Sequence, residues 1–419
     1  MAFNGVRGAE DRIAVKLGGE QVFTLERYEI KRAILTQPSA SSFSLGTGDQ
    51  VADLIARFPP RTKFELLVND LLCVTGRIDG CASSGAPGIL TLHGRDTLAA
   101  LQQGYVPNEF SINNVTYAQL VRQVMDKAGL KDVKLAYSNT ANRRAITGAH
   151  PNELQPPRNV EEEQVETEAG SGGLVKRSVQ AHLGETWYQF LKRHLDRAGL
   201  FLWAAGDGSF VLSEPNPNQI ALYQITRTYL GNIGAGISSP SSLAAPQSVY
   251  ADASTIIDHS FTNDTTPRFA SVAVYARGGG RKSGRTTATA RVADEEMKRW
   301  GATEELTLRD VNADTPKKAE FWARKKIAET RRQGWRLSYT VYGHTAVPIA
   351  GGAPIPWAPD TMVHVHDDKL GFDDIFYVEG VTFRSSPETT TVLDLCRPDD
   401  LVFGARPPPG PDGVSDLAI

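Results

Sequence analysis

At 419 residues the chain exceeds one small domain and is sized for two to four. Its 45 Lys and Arg against 48 Asp and Glu leave a net charge of −3, which excludes a global attraction to nucleic acid or to an anionic membrane. Three cysteines, Cys73, Cys81 and Cys396, make no disulfide framework and read as buried free thiols in a reducing compartment.

The N-terminal stretch has no signal-peptide core, and no segment is long and apolar enough to span a bilayer. Cytoplasmic synthesis without a membrane segment is the expectation. Residues 1–105 read as a first β domain. Ile13, Val15 and Leu17 alternate with polar neighbours, as do Phe64, Leu66 and Val68. Asn69-Asp70 offers a turn, and a return strand follows through Val74 and Ile78. Leu90 and Leu92 mark another strand. A short helix over 50–57 is stopped by Pro59 and Pro60.

Residues 106–250 hold a phrase that occurs twice, TYAQLVRQVMDKAGL at 116–130 and TWYQFLKRHLDRAGL at 186–200. Each copy predicts one amphipathic helix, with Thr as N-cap, apolar residues at helical spacing and Gly after the last turn. The repeat points to a duplicated structural element and carries no reactive constellation. After the second copy, Leu202 and Trp203 lead into Gly206-Asp207-Gly208, and Phe210 to Leu212 return as a hairpin. A long polar insertion over 139–180 separates the copies. It carries Pro156-Pro157, the acidic run Glu161, Glu162 and Glu163, and Gly170-Ser171-Gly172-Gly173. A second loose stretch covers 231–247.

Residues 251–400 turn β-rich again. Val272 and Val274, then Trp335, Leu337, Tyr339 and Val341, then Val363 and Val365, then Phe376 and Val378 follow strand periodicity. A helix over 315–333 interrupts them. Asp314 or Thr315 caps it, Pro316 sits in its first turn, and Ala319, Trp322, Ala323 and Ile327 form its apolar stripe. The 401–419 tail, with Pro407-Pro408-Pro409-Gly410-Pro411, reads as extended. The expected fold class is α+β: two small antiparallel β-barrels joined by a mixed helix-hairpin domain, with no β-helix spike.

Chemistry is sparse. GGRKSGRT at 279–286 falls one residue short of a phosphate-binding loop, because Arg285 stands where the Lys belongs. The following TTATARV favours a strand over the required helix N-terminus. A basic hairpin loop with Arg277, Arg281, Lys282 and Arg285 as a candidate interaction surface is the better reading. His364, His366, Asp367 and Asp368 resemble metal ligands, since residues two apart on a strand share a face. A solvated strand face ending in a polar turn accounts for them without a metal. The helix with Lys317, Lys318, Arg324, Lys325, Lys326, Arg331 and Arg332 lacks aromatic interleaving, and Glu320 and Glu329 interrupt its charge, so a solvated helix face outweighs nucleic-acid binding. Asp373-Asp374 and the acidic run say nothing of a glycosidase cleft by adjacency alone. No G-x-S-x-G, H-E-x-x-H or catalytic-Cys pattern occurs. No catalytic, metal or cofactor residues are assigned.

Three segments in order resemble one family. KFELLVNDLLCVTGRIDG with GILTLHGRDTLAALQQG resembles the first barrel of phage baseplate hub proteins. ETWYQFLKRHLDRAGLFLWAAGDGSFVLSEPN resembles the helix, Gly-Leu and hairpin signature of late-control-D and VgrG-type proteins. AEFWARKKIAETRRQGWRLSYTVYGHT, PWAPDTMVHVHDD and FYVEGVTFRSSPETTTVLDL are similar to the second barrel of Mu-type contractile-tail hubs. The resemblance covers most of residues 10–400. It implies a non-enzymatic homotrimeric hub whose six quasi-equivalent barrels match a six-fold tail tube to a three-fold central spike. It also implies baseplate wedge neighbours, DNA passing through the channel, no cofactor, no stable membrane association and a place in the virion tail baseplate. Unlike VgrG, the chain carries no β-helix after the second barrel, so the spike is expected as a separate protein that the 401–419 tail helps to dock. The insertion, with its acidic run, suits a basic baseplate neighbour. The alternatives are a tail-associated peptidoglycan hydrolase, or the same hub in a non-phage contractile injection system.

Overall fold

The computed structural model describes residues 11–22, 25–34, 40–48, 51–83, 88–113, 115–137, 178–233, 247–250, 254–277, 287–310, 316–385 and 388–401. Alternating apolar residues build most of it. In Trp335–Tyr342 every second side chain, Trp335, Leu337, Tyr339 and Val341, is buried, and in Lys63–Val68 the same holds for Phe64, Leu66 and Val68. Such strands bury their apolar face only by pairing and stacking, and the result is an α+β fold dominated by antiparallel sheet.

Thirteen strands belong to one sheet. From Ile256–Asn263 the path runs through Trp335–Tyr342, Thr389–Cys396 and Phe372–Ser385. It continues through Leu25–Ala33, Ala40–Gly48, Gly88–Asp96, Leu71–Ser83, Lys63–Val68 and Ile13–Leu17 to Glu20–Val22. Strand Phe372–Ser385 is shared. Its first half pairs with Thr361–Asp367 and its second half with Leu25–Ala33, on either side of a bulge between Val378 and Gly380. Thr361–Asp367 in turn pairs in parallel with Tyr223–Arg227. The C-terminal strands then return on themselves. Thr255 N donates to Thr226 O at 2.9 Å, and Thr226 N donates to Thr255 Oγ1 at 2.9 Å, just before Ile256–Asn263 begins. The N-terminal and C-terminal strands share one apolar core, in which Tyr28, Phe43 and Phe64 join Tyr223, Trp335 and Phe383.

The hairpin expected at Asn69-Asp70 forms, with both residues in the left-handed region (φ 50° and 64°) that a two-residue turn requires. The short helix is Val51–Arg57. Cys73 and Cys396 are buried free thiols, but Cys81 is exposed. Past Ile78 the end of strand Leu71–Ser83 is no longer buried, which corrects the expectation for that residue.

The repeat is borne out as two capped helices. In Tyr117–Lys127 and Trp187–Ala198 the N-cap Thr accepts from the Gln three residues on, at 3.1 and 3.2 Å. Each Gln side chain accepts from its Thr backbone, at 2.9 and 3.0 Å. Gly199 closes the second copy in the left-handed region (φ 70°). The duplication reaches beyond the helices. The strands that precede them, Ser111–Asn113 and Ser178–Gln180, pair antiparallel with each other. The strands that follow meet in a three-stranded sheet of Leu135–Tyr137, Phe210–Ser213 and Phe201–Ala204. The two copies share an apolar core of their own around Leu120, Val124, Phe190 and Leu191.

Helix Pro316–Gly334 lays Ala319, Ala323 and Ile327, with half-buried Trp322, on a sheet of Ser271–Arg277, Thr287–Ala293 and Glu305–Asp310. Its apolar stripe is the one the spacing predicted, though its caps Asp314 and Thr315 lie outside the described residues. So do residues 139–177 of the insertion and the tail from 402 on. The last residues of the insertion form the strand Ser178–Gln180. The ends of the 231–247 stretch belong to the antiparallel pair Tyr229–Ile233 and Gln247–Tyr250, so only 234–246 falls outside the description. Among the described residues no helix is long and apolar enough to cross a membrane.

Phe64 lies flat across two glycines of neighbouring strands. A Cβ on Gly76 would meet Arg95 O and stand 2.5 Å from Phe64 Cζ, and one on Gly94 would stand 2.8 Å from Phe64 Cε1. Gly76→Ala is expected to destabilise the fold by about 2–4 kcal/mol in urea unfolding. Gly80→Ala, where a Cβ meets nothing within 4 Å, is expected to change it by less than about 1 kcal/mol.

Candidate functional site

The sequence candidates fall apart or lie elsewhere once folded. Arg277 ends a strand that pairs with Thr287–Ala293, so the basic segment joins two antiparallel strands, with no helix N-terminus after it. The Arg277 side chain and the residues Arg281, Lys282 and Arg285 are outside the described residues.

The pleat divides the His364–Asp368 cluster. His364 and His366 share one partly exposed face, where Asp373 Oδ1 stands 3.1 Å from His364 Nε2 and 3.3 Å from His366 Nδ1. Asp368 Oδ1 stands 3.5 Å from His366 Nε2. Asp367 points to the other face and is fully buried. There it accepts from Arg227 through both carboxylate oxygens, 2.7 Å at Nε, from Tyr339 Oη at 2.9 Å and from Lys369 N at 2.9 Å. Burial pushes the Asp367 pKa up, but the Arg227 and Tyr339 hydrogen bonds outweigh it and hold the carboxyl below its ordinary range. Grouping Asp367 with the histidines is thus corrected: residues one apart on a strand face opposite ways. Among the described residues, no group of three or more His, Cys, Asp or Glu side chains is arranged to hold a metal ion.

Two of the basic residues of helix Pro316–Gly334 are paired within the helix itself. Arg324 pairs with Glu320 at 2.8 Å and Lys326 with Glu329 at 3.1 Å. Lys325 is no solvated cation. It is buried over Trp322 and donates to Asp196 O at 2.7 Å, a carbonyl in the last turn of helix Trp187–Ala198 that also accepts from Gly199 N at 3.3 Å. Burial lowers its pKa, and the negative end of that helix dipole favours the charge. The side chains of Lys317 and Lys318 are outside the described residues.

Two constellations that spacing could not show stand at the contacts between elements. The first joins the N-terminal and C-terminal strands. Asp11 accepts from the backbone of His344, from Thr345 N at 3.2 Å and from Thr345 Oγ1 at 2.7 Å, while Asn69 Nδ2 donates to it at 3.0 Å. His344 is fully buried. Thr391 Oγ1 donates to Gly343 O at 2.6 Å and therefore accepts from His344 Nδ1–H at 2.9 Å. That leaves His344 Nε2 as the acceptor for Tyr28 Oη at 2.6 Å. Burial pushes the imidazole pKa down to about 4 and pushes the Tyr28 hydroxyl up. A neutral His, a protonated Tyr and a carboxylate spent on main-chain amides make a clasp. They leave neither nucleophile nor base free to act.

The second constellation surrounds Asp294, the N-cap of the short helix Glu295–Arg299. Arg268 donates to Asp294 at 2.8 Å and to Glu296 at 2.7 Å, and Arg331 donates to Asp294 at 2.8 Å. Arg397 reaches Glu296 at 3.4 Å. Burial works against the Asp294 charge, but hydrogen bonds from Arg331 and Arg268 prevail and hold its pKa at about 2.

No protein-family model matches the chain, and no curated protein matches it. Among solved structures it is similar to the prophage MuSo2 43 kDa tail protein from Shewanella oneidensis. The TM-score is 0.66 at 17% identity, over 94% of this chain and 100% of that one. It is similar to the tail protein from Neisseria meningitidis MC58 with a TM-score of 0.66 at 19% identity, over 94% of this chain and 99% of that one. This chain has the fold of phage tail proteins. That is the fold the sequence resemblance implied, and both the clasp and the Asp294 cluster serve to hold it.

The tail-protein fold should therefore respond to acid through His344. Its folded pKa lies below the ordinary 6.5, so the unfolded chain binds a proton that the folded one refuses. The stability this represents is complete above about pH 6.5 and is lost as pH falls toward 4. Urea unfolding is expected to show a smaller loss between pH 7 and 4.5 in His344→Gln than in the parent chain. Tyr28→Phe, which removes the donor to His344 Nε2, is expected to cost about 1–2 kcal/mol at pH 7.5 in the same measurement.

Proposed function

We propose that the chain is the structural hub of a contractile-tail baseplate, adapting the tail tube to a central spike. The observation that carries this reading is the end-to-end likeness to a prophage tail protein and to a second tail protein. The resemblance of three sequence segments to hub proteins supports it independently. In this reading residues 1–105 form a first barrel, 106–250 the helix-hairpin domain and 251–400 a second barrel. Strand Tyr223–Arg227 of the middle region is lent to the second barrel. The return of the C-terminal strands through Thr226 and Thr255 supports a closed ring there.

Three copies, each with two such units, present six similar surfaces to a six-fold tube and three to a three-fold spike. The tail from residue 401 helps to seat the spike. The tube protein and the wedge proteins are the other partners, and DNA passes through without being held, in keeping with the mildly acidic balance. The role is structural, with no cofactor. The basic segment from Arg277 to Arg285 is the candidate interaction loop.

Native mass spectrometry of the chain with the spike protein from its own gene neighbourhood tests this. A species near 136 kDa for the chain alone, three times 45.5 kDa, and a larger one with spike bound are expected. A chain that stays monomeric with and without the spike overturns the reading. A peptidoglycan zymogram is expected to show no clearing. A cleared band that Asp or Glu substitution abolishes would put the hydrolase in its place.

A further inference from the structure

After strand Thr389–Cys396 the chain makes one tight turn, Pro398–Asp400, and Leu401 packs with Ala221, Met362, Tyr377 and Cys396. The turn is closed by Asp400 N to Arg397 O and Leu401 N to Pro398 O, each 3.1 Å. It places the Asp400 side chain, 3% exposed, beside the Asp294 cluster. Three guanidinium groups are there, and the hydrogen bonds they make go elsewhere, although Arg268 Nε and Nη1 and Arg331 Nε are buried without a hydrogen-bond partner. Arg331 Nη2 serves Asp294, Arg268 Nη2 serves Asp294 and Glu296, and Arg397 Nη1 serves Glu296. The nearest cation atom to the Asp400 carboxylate is Arg331 Nη1, 3.9 Å from Oδ1 and too far for a hydrogen bond. Asp400 Oδ2 is buried with no partner.

We propose that the Pro398–Asp400 turn is a proton-dependent latch, in which seating the turn against helix Pro316–Gly334 protonates Asp400, so that the turn is held more tightly in acid than at neutral pH. A buried carboxylate without hydrogen bonds is costly when ionised and far less so when neutral. The groups that face it come from every neighbouring element. Arg331 reaches it from the helix, Arg268 from the segment before strand Ser271–Arg277, and Arg397 and Asp399 from its own turn. Cys396 lies at the strand end, and Asp294 and Glu296 stand behind the guanidinium groups. Burial is the strongest influence and pushes the Asp400 pKa up to about 6 against the pull of Arg331, Arg397 and Arg268.

The sign follows from linkage. A carboxyl whose pKa is higher in the seated turn than in the released one, 3.8 against about 6, favours seating as pH falls through 6 and loses that gain as pH rises. Between pH 7.5 and 5.0 the seating constant rises about ten-fold. This opposes the His344 effect over an overlapping range, so the readout must be local and not global stability.

Amide hydrogen exchange of segment 396–401 in the full chain, corrected for intrinsic rates, provides it. The parent chain and Asp399→Asn are expected to be about ten-fold better protected at pH 5.0 than at 7.5. Asp400→Asn is expected to be protected equally at both. Equal protection of the parent chain at the two pH values overturns the latch, and so does an Asp400→Asn variant that keeps the pH dependence. A carboxyl carbon-13 titration of the unmutated protein is independent of any variant. A midpoint near 6 at Asp400 supports the latch, and a midpoint near 4 overturns it.

Discussion

Strand Phe372–Ser385 joins two sets of strands within one sheet, and the rest of the molecule depends on that. Up to Val378 it pairs with Thr361–Asp367, and from Gly380 it pairs with Leu25–Ala33, while Thr389–Cys396 runs along its other edge. The change of partner needs the bulge between Val378 and Gly380. It also needs glycine there, because a Cβ would stand 3.2 Å from both Arg32 O and Asp394 Oδ2. Main-chain pairing across this joint places Val381 and Phe383 beside Arg32 and Ile30 in register, and the cores on either side merge around them. A joint of backbone hydrogen bonds with a common apolar core has little freedom to hinge.

Buried charge then fixes what the sheet alone leaves open. Exposed pairs such as Arg324–Glu320 or Lys192–Asp196 contribute at most about 1 kcal/mol. Removing one partner of Arg227–Asp367 or of the Arg268, Asp294 and Arg331 group leaves an uncompensated buried charge, at about 3–5 kcal/mol. These pairs do not drive folding, since their own desolvation offsets most of the attraction. They penalise wrong arrangements. Asp367 ties Thr361–Asp367 to Tyr223–Arg227 and to Tyr339 across the sheet, and Asp294 ties the short helix Glu295–Arg299 to helix Pro316–Gly334. Lys325 does the same between helix Pro316–Gly334 and helix Trp187–Ala198, by sharing the Asp196 carbonyl with the capping Gly199 N–H.

What was legible in the sequence was local. Thr116 with Gln119, and Thr186 with Gln189, announce their helices because a capping box is a four-residue event. Ala319, Ala323 and Ile327 announce a buried face because helical spacing is short-range. What was not legible depended on pairing. Asp11, Tyr28, His344 and Thr391 meet only because their strands converge at the shared joint. The pleat that sets His364 and His366 on one face also turns Asp367 inward, and only the structure shows that Arg227 and Tyr339 meet it there. Cys81 looked buried because nothing in the spacing marks where strand Leu71–Ser83 leaves the core after Ile78. The pairing of Ser111–Asn113 with Ser178–Gln180 was hidden for the opposite reason. Three-residue strands on either side of a long insertion are too short to show a period.

The placement of the perturbed groups bears on what such a molecule can do. His344, Asp294, Asp367 and Lys325 are all turned inward, each against a different structural element from its own, and each spends its hydrogen bonds on holding that element. A catalytic centre needs the reverse: a perturbed group with an unused atom facing a space that substrate can enter. Asp400 has an unused atom but faces only the protein interior. The other four groups are committed to the angles between the parts that carry them. In a proposed ring that must match three-fold to six-fold symmetry, a shape held within hydrogen-bond tolerance at each joint is itself the working property, because any play in one copy is repeated at every contact around the ring.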